Sequence, residues 1–366
     1  MKKTEQNEEM LEKIKGTASD IYKDIMKRQK PSVKMPVRSL ANVSYDPKDG
    51  FFEMRDQFKE RTLTVNTIKT FAQTLRMLTL SKNLVETDDI STKREAYYIS
   101  KNWGDAKFVE QTESDAIMDD VEAMFMVNRE QMGFIPDEHG GSVAGKLTVV
   151  DIDPSTGNEI KIDCTRMGTG SYSIPSRVEH LKFETDAKFI LAIETQGMYE
   201  RLVKHSYWKS ANCILVSFTG VPSRACRRFI RKLSDEKSLP VFVFTDGDPY
   251  GWLNIYRTFK VGSGNAAHIN KYFCVPNAKF IGITARDIVE YNLPTHPLKD
   301  VDIKRVKDGI KNDPFVQHYK EWQKELDMLL KMKKRAEQQA LAAHGLNFVI
   351  SDYLPKKLND PKSWLP

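Results

Sequence analysis

The chain has 366 residues, with 56 Lys and Arg against 50 Asp and Glu and a formal net charge of +6, a balance that permits a polyanion partner without requiring one. Its 40% hydrophobic content is enough for packed cores in about two domains, and its 29% charged content argues for a soluble protein. The longest apolar runs are strand-length, well short of the about 20 residues of a membrane helix, so no membrane association is expected.

The charged start Met1-Lys2-Lys3-Thr4-Glu5-Gln6 lacks the apolar segment of a signal peptide, so a cytoplasmic place is expected. Residues 1–30 space Met10, Leu11, Ile14, Ile21 and Ile25 loosely as in a helix, and a strand-like stretch follows from Pro31 to Asn42. Neither can form a core alone, so residues 1–63 read as an arm that binds a partner or frays. Three helical patterns come next: Thr64 to Leu80, with Ile68, Phe71, Leu75 and Leu78 on one face, then Asp89 to Trp103, then Asp115 to Gln131. Strand-like stretches at 146–152 and 159–164 are joined by a Pro154-x-x-Gly157 turn. Three helices followed by two strands is the order of a winged helix-turn-helix, expected here over 64–165, whose second helix lies in a DNA groove.

From Ala187 to Ile283 the alternation is β-α-β-α-β. Strand-like runs at 188–193, 213–218, 240–244 and 280–283 with helical stretches such as 222–233 between them predict a parallel sheet. A long helix is expected from Phe315 to Ala343, capped at Gly345, as an extension of an α/β domain over 166–366. Cys164, Cys213, Cys226 and Cys274 have no CxxC spacing and read as reduced core thiols, not zinc ligands.

Two strands of this sheet end on acids. The run Lys188-Phe189-Ile190-Leu191-Ala192-Ile193 ends at Glu194, and Val241-Phe242-Val243-Phe244-Thr245 ends at Asp246-Gly247-Asp248. Parallel strands end on one edge, where ligands of open α/β sheets gather. Three carboxylates there repel one another unless a cation neutralises them, which suits Mg2+. The other reading is that each acid caps the helix that follows.

A second constellation is Ser91-Thr92-Lys93-Arg94-Glu95-Ala96-Tyr97-Tyr98. A tyrosine hydroxyl titrates near 10 and becomes a nucleophile only where cations or metal stabilise the phenolate. Attack on a phosphodiester would store the broken bond as a phosphotyrosyl ester, so the strand could be resealed without fresh ATP. Adjacent helical tyrosines are also common packing residues.

Thr92-Lys93-Arg94-Glu95-Ala96-Tyr97-Tyr98, Glu194 and Thr245-Asp246-Gly247-Asp248-Pro249-Tyr250-Gly251 together resemble the A-subunit family of DNA topoisomerase VI, the archaeal type IIB enzymes. They are also similar to the meiotic double-strand-break transesterases. Ser217 to Ser223 and Phe280 to Ile288 fit as well, and the resemblance runs from about Thr64 to the C-terminus. It implies a mixed α/β protein, a CAP-like winged helix-turn-helix domain followed by a Toprim domain with a parallel sheet. It implies Tyr98 as nucleophile with Tyr97 as packing neighbour, Arg94 on the scissile phosphate, and Glu194, Asp246 and Asp248 as ligands of Mg2+. The partners it implies are double-stranded DNA, a second copy of the chain, and the ATPase-bearing B subunit of topoisomerase VI. Together they would form an A2B2 heterotetramer, where the tyrosine of one protomer meets the metal site of the other. The readings left open are a recombination transesterase without an ATPase cycle, a Toprim nuclease using metal-activated water, and a non-catalytic DNA-binding module.

Other features carry less. Lys260-Val261-Gly262-Ser263-Gly264-Asn265 is glycine-rich but lacks a GK[ST] ending, so no nucleotide loop is expected. No Walker or GHKL ATPase motif is present, so ATP-driven strand passage would need a partner. Arg224, Arg227, Arg228 and Arg231 crowd one short helix, either as a DNA-backbone contact or as a solvated basic face. His205 and His268 need no role.

Overall fold

The structure, a computed structural model, describes residues 3–135, 140–153 and 155–366. Contacts divide the chain into two units: Met1–Ser44 with Glu53–Glu138 and Gly264–Lys271, and Tyr45–Phe52 with His139–Ser263 and Tyr272–Pro366.

The first unit is largely helical. It holds α1 (Lys3–Met26), β1 (Ser32–Pro36), β2 (Phe58–Thr62), α2 (Ile68–Thr87), β3 (Ser91–Thr92), α3 (Lys93–Ile99), α4 (Gln111–Phe125) and β4 (Phe134–Ile135). β1 pairs antiparallel with β2, and β3 pairs parallel with β4. Met10 and Ile14 of α1 are buried with Met77, Leu78, Val121 and Phe134, so the terminal helix contributes to this core. Each such side chain contributes about 1.5–3 kcal/mol on burial. α2 runs past Leu80 because Leu84 and Val85 continue its buried face, and it stops where Asp88 turns left-handed at φ 55°. Asp120 of α4 accepts from Arg38 Nε at 2.8 Å and Arg61 Nη2 at 2.6 Å, tying the β1–β2 ribbon to α4. Burial alone would raise the Asp120 carboxyl; Arg38, Lys59 and Arg61 hold it below its ordinary value instead.

The second unit is α/β. Its strands include β5 (Ser142–Gly145), β6 (Thr148–Ile152), β7 (Glu159–Asp163), β8 (Tyr172–Ser173), β9 (Lys182–Glu184), β10 (Phe189–Ile193), β11 (Cys213–Ser217), β12 (Val241–Phe244) and β13 (Lys279–Gly282). A six-stranded sheet has the order β8-β5-β11-β10-β12-β13, and the run from β11 to β13 is parallel. Ile190, Leu191, Ala192 and Ile193 are all buried, as in parallel strands covered on both faces. β6 and β7, read from the sequence as following three helices in one winged domain, lie in this second unit with β9, in an antiparallel sheet ordered β9-β6-β7. Pro154 of their expected turn lies outside the described residues.

The sheet order places a topological switch between β10 and β12. The chain leaves β10 through α5 (Gln196–Lys204) toward β11 on one side, and it leaves β12 toward β13 on the other. Connections that diverge this way open a crevice at the carboxyl ends of the two strands.

The helix expected from Phe315 to Ala343 forms only in part. A five-residue α-helix, Pro314–His318, precedes α-helix Lys320–Met332, and Lys333 then takes a left-handed conformation at φ 53°. Leu326 and Leu329 are buried on that helix, but Ala336 leaves the helical path and pairs with Gly247 in an antiparallel bridge. The chain continues as a 3-10 segment, Gln338–His344, whose C-cap is Gly345. The bridge to Gly247 holds this detour on the Asp246–Asp248 loop. Among the described residues no helix is long and apolar enough to cross a membrane, and all four cysteines are free and buried.

Candidate active site

On α3, Thr92 and Glu95 form a reciprocal cap: the Thr92 hydroxyl accepts the Glu95 N–H at 3.1 Å, and the Glu95 carboxylate accepts the Thr92 N–H at 2.6 Å. With the helix start fixed, Ala96 and Ser100 face the core. The Tyr97 hydroxyl donates to the Val109 carbonyl at 3.0 Å, and the Lys101 ammonium sits 4.0 Å from the Tyr97 ring centroid. Tyr98 is 55% exposed, and Arg94, four residues before it, is exposed on the same helix face. Lys93 lies 3.6 Å from Asp115. The adjacent tyrosines therefore differ: one hydroxyl is tied to the protein, and the other ring stands in solvent one turn from a guanidinium.

In the second unit, Glu194, Asp246 and Asp248 end the two strands that flank the switch point. Glu194 Oε2 accepts the Asp246 N–H at 2.8 Å. Asp246 Oδ1 accepts the Gln338 N–H at 2.8 Å. Asp248 Oδ1 accepts the Gly251 N–H at 2.7 Å, and its Oδ2 lies 3.3 Å from Arg335 Nη1. Asp248 thus caps the helical turn that begins at Pro249, as the capping reading allows. Glu194 and Asp246 do not cap the helices after their own strands. Gly251 is required where it stands: a Cβ there would come within 2.7 Å of the Asp246 carbonyl and 3.1 Å of Glu194 Oε2.

The electrostatics are unbalanced. Burial first, then the charges of Asp246 and Asp248, pushes Glu194 up to about 8, although the Asp246 N–H opposes the shift. Burial raises Asp246 to about 6; the Gln338 N–H and Arg335 oppose it, and Asp248 and Glu337 reinforce it. Oxygen-only donors with this charge deficit suit a hard divalent cation. Among the described residues, no group of three or more His, Cys, Asp and Glu side chains is drawn close enough to form a finished metal cluster. The hydrogen bonds above occupy one oxygen each of Glu194 and Asp246 and both of Asp248.

Two residues here were not legible in the sequence. Gln338 is fully buried; its Oε1 accepts from the Thr195 hydroxyl at 2.7 Å, and its Nε2 donates to the Phe244 carbonyl at 3.0 Å. Arg335 supplies the site's cation. Both arrive about ninety residues downstream of Asp246 and Asp248, and farther still from Glu194, and no local motif marks them. Lys260, in the glycine-rich stretch, is buried and bonds the Pro276 and Ala278 carbonyls at 2.7 Å each, a structural role.

Residues 189–358 match the Toprim domain of Spo11 and of the topoisomerase 6 A subunit, 137–187 an all-β domain of the DNA topoisomerase VI alpha subunit, and 69–134 a type IIB DNA topoisomerase family. The A subunit of type 2 DNA topoisomerase 6 from Methanocaldococcus jannaschii is 54% identical over 97% of this chain and 96% of its own length. Proteins of the same description from Methanothermobacter thermautotrophicus and Pyrococcus abyssi are 36% and 37% identical, over 95% and 97% of this chain and 96% and 95% of their own lengths. The chain belongs to the topoisomerase VI A-subunit family. As such it is a mixed α/β type II topoisomerase subunit, and the parallel sheet bearing Glu194, Asp246 and Asp248 is its Toprim domain.

Proposed function

We propose that this topoisomerase VI A subunit cleaves both strands of duplex DNA by transesterification to Tyr98, and that it works with the ATPase-bearing B subunit in an A2B2 heterotetramer. The observation that carries the nucleophile assignment is the contrast on α3: Tyr98 is exposed one turn from Arg94, while the Tyr97 hydroxyl is held by Val109.

The Tyr98 oxygen forms a bond to phosphorus as the P–O3′ bond breaks. The phenolic proton passes to solvent, and the leaving 3′ oxygen takes one up. The 5′ phosphate stays on Tyr98 as an ester that the 3′-hydroxyl can attack in reverse. Arg94 holds the phosphate and offsets charge on its oxygens as they become more negative. Glu194, Asp246 and Asp248 would hold a Mg2+ ion, which would supply charge stabilisation at the phosphoryl oxygens. Gln338 and the Asp246 N–H orient two of these carboxylates, and Arg335 restrains the third.

Reconstitution with the B subunit, ATP and Mg2+ tests the coupling. Supercoiled plasmid is relaxed only with all components present. Relaxation by the isolated chain, or complete independence from ATP, would contradict the assembly.

A further inference from the structure

Among the described residues the exposed Tyr98 ring has one aromatic partner, the ring of Tyr97, with centroids 5.4 Å apart and planes at 52°. Whatever fixes Tyr97 therefore limits where the Tyr98 ring can stand. Tyr97 is fixed by the segment that leads into α4, through the bond from its hydroxyl to the Val109 carbonyl. That segment is itself anchored. The Val109 N–H donates to Glu113 Oε2 at 2.9 Å, Gln73 Nε2 donates to the Lys107 carbonyl at 3.3 Å, and Phe108 is fully buried with its ring centroid 5.6 Å from that of Trp103.

Lys101 joins these parts. It stands in the 3-10 turn Ser100–Asn102 that follows α3, four residues after Tyr97. Its ammonium donates to the Phe108 carbonyl at 2.6 Å, lies 3.5 Å from the Val109 carbonyl and sits 4.0 Å from the Tyr97 ring centroid. An exposed lysine ordinarily lays its stem on the protein and leaves its charge in water. Here the residue is exposed, yet its charged end is held against two carbonyls and a ring, which uses the geometry of an ammonium with three donors and the attraction of a cation for an aromatic face. One side chain thus grips both the anchored segment and the ring that touches Tyr98.

We propose that Lys101 is a positioning residue for strand cleavage: acting through the Tyr97 ring, it holds the Tyr98 ring where its hydroxyl can reach phosphorus. This rests on the reading of Tyr98 as nucleophile and adds to it a residue that need not touch the phosphate. A phenol ring left to turn among its rotamers spends less time aligned, and the rate falls in proportion.

The test follows adduct formation by the A–B complex with ATP and Mg2+ on saturating duplex DNA. Duplex affinity against salt is measured in parallel in the Tyr98→Phe background. Lys101→Met keeps the stem and removes the charge. Its adduct formation is expected to fall about tenfold, short of the roughly hundredfold that an ångström of misplacement can cost. Affinity, its salt slope and the thermal midpoint stay at the parent values. Lys101→Arg, which can stack on the ring and reach the same carbonyls, recovers most of the rate. Tyr97→Leu loses at least as much as Lys101→Met, and combining the two costs less than about twofold more, because the ring through which Lys101 acts is already gone. An unchanged rate in Lys101→Met overturns the proposal. So does a salt slope smaller by about 0.9, which would make Lys101 a phosphate contact, and so do losses that multiply in the double variant. A rate loss accompanied by a lower thermal midpoint also overturns it, marking Lys101 as structural. A parent that forms no adduct on Tyr98 overturns the cleavage reading instead.

Discussion

Gln338 links the C-terminal detour to the strand ends, and Gln338→Leu measures what that link contributes. The leucine keeps the volume and the backbone N–H that Asp246 accepts, but it removes the amide. The Phe244 carbonyl still receives the Glu194 N–H at 3.0 Å, so its loss is partial. The Thr195 N–H and hydroxyl both lose their acceptor, Gln338 Oε1, at 3.3 and 2.7 Å. A buried group left unsatisfied costs about 1–3 kcal/mol. The Thr195 hydroxyl is half-buried and can turn to water, so the expected total is about 1–3 kcal/mol. For a unit of this size that is roughly 3–9 °C in thermal midpoint. The assay is thermal unfolding by circular dichroism, paired with the Mg2+ concentration needed for half-maximal DNA cleavage. Both are expected to move, the second upward, because Thr195 adjoins Glu194 and the 3-10 segment carrying Gln338 also places Asp246. A midpoint within about 1 °C of wild type, with unchanged Mg2+ dependence, would refute the assignment of Gln338 as the anchor of the site.

Metal-free stability should depend on pH through Glu194. Its folded value, about 8, lies above the ordinary 4.5, so the folded state holds the extra proton; the stability this gives is complete below about 4.5 and lost as pH rises through 8. In EDTA the denaturation midpoint should therefore fall as pH rises from about 4.5 to about 8, and Glu194→Gln should flatten that fall; parallel profiles would exclude Glu194 as its source. Asp120→Asn leaves Arg38 and Arg61 without their shared carboxylate, and is expected to destabilise the helical unit by about 3–5 kcal/mol in chemical denaturation, a loss under about 1 kcal/mol contradicting the role given to this ion group. If the tyrosine of one protomer works with the carboxylates of another, mixing inactive Tyr98→Phe and inactive Asp246→Asn chains should restore single-strand nicking, whereas continued inactivity would place both halves in one chain.

The sheet was readable because its strands are nearly continuous apolar runs that stop on acids. Phe189 to Ile193 and Val241 to Phe244 are bounded by Glu194 and by Asp246-Gly247-Asp248, and burial on both faces leaves few other assignments. The C-terminal helix departs from its pattern because Leu326, Leu329, Leu330 and Ala336 keep a helical spacing and no glycine or proline marks Lys333. The break is made by tertiary contacts, the Gly247–Ala336 pairing and the capture of Gln338, which local propensity does not encode. The same reason hid Arg335. The difference between Tyr97 and Tyr98 was also outside the local pattern: it depends on the Val109 carbonyl meeting one hydroxyl and on the core taking Ala96 and Ser100. The arginine helix looks uniformly basic in sequence, but Glu179 pairs with Arg228 and Asp235 with Arg231, which the local pattern does not show.

The central claim is that Tyr98 takes the DNA strand. Radiolabelled duplex DNA incubated with the A–B complex, ATP and Mg2+, then denatured and digested, shows directly which tyrosine carries the 5′ phosphate. The account predicts a labelled adduct on the α3 peptide in wild type and Tyr97→Phe, none in Tyr98→Phe, and none in EDTA. An adduct that survives Tyr98→Phe, or cleavage that leaves no protein on the DNA, would contradict it.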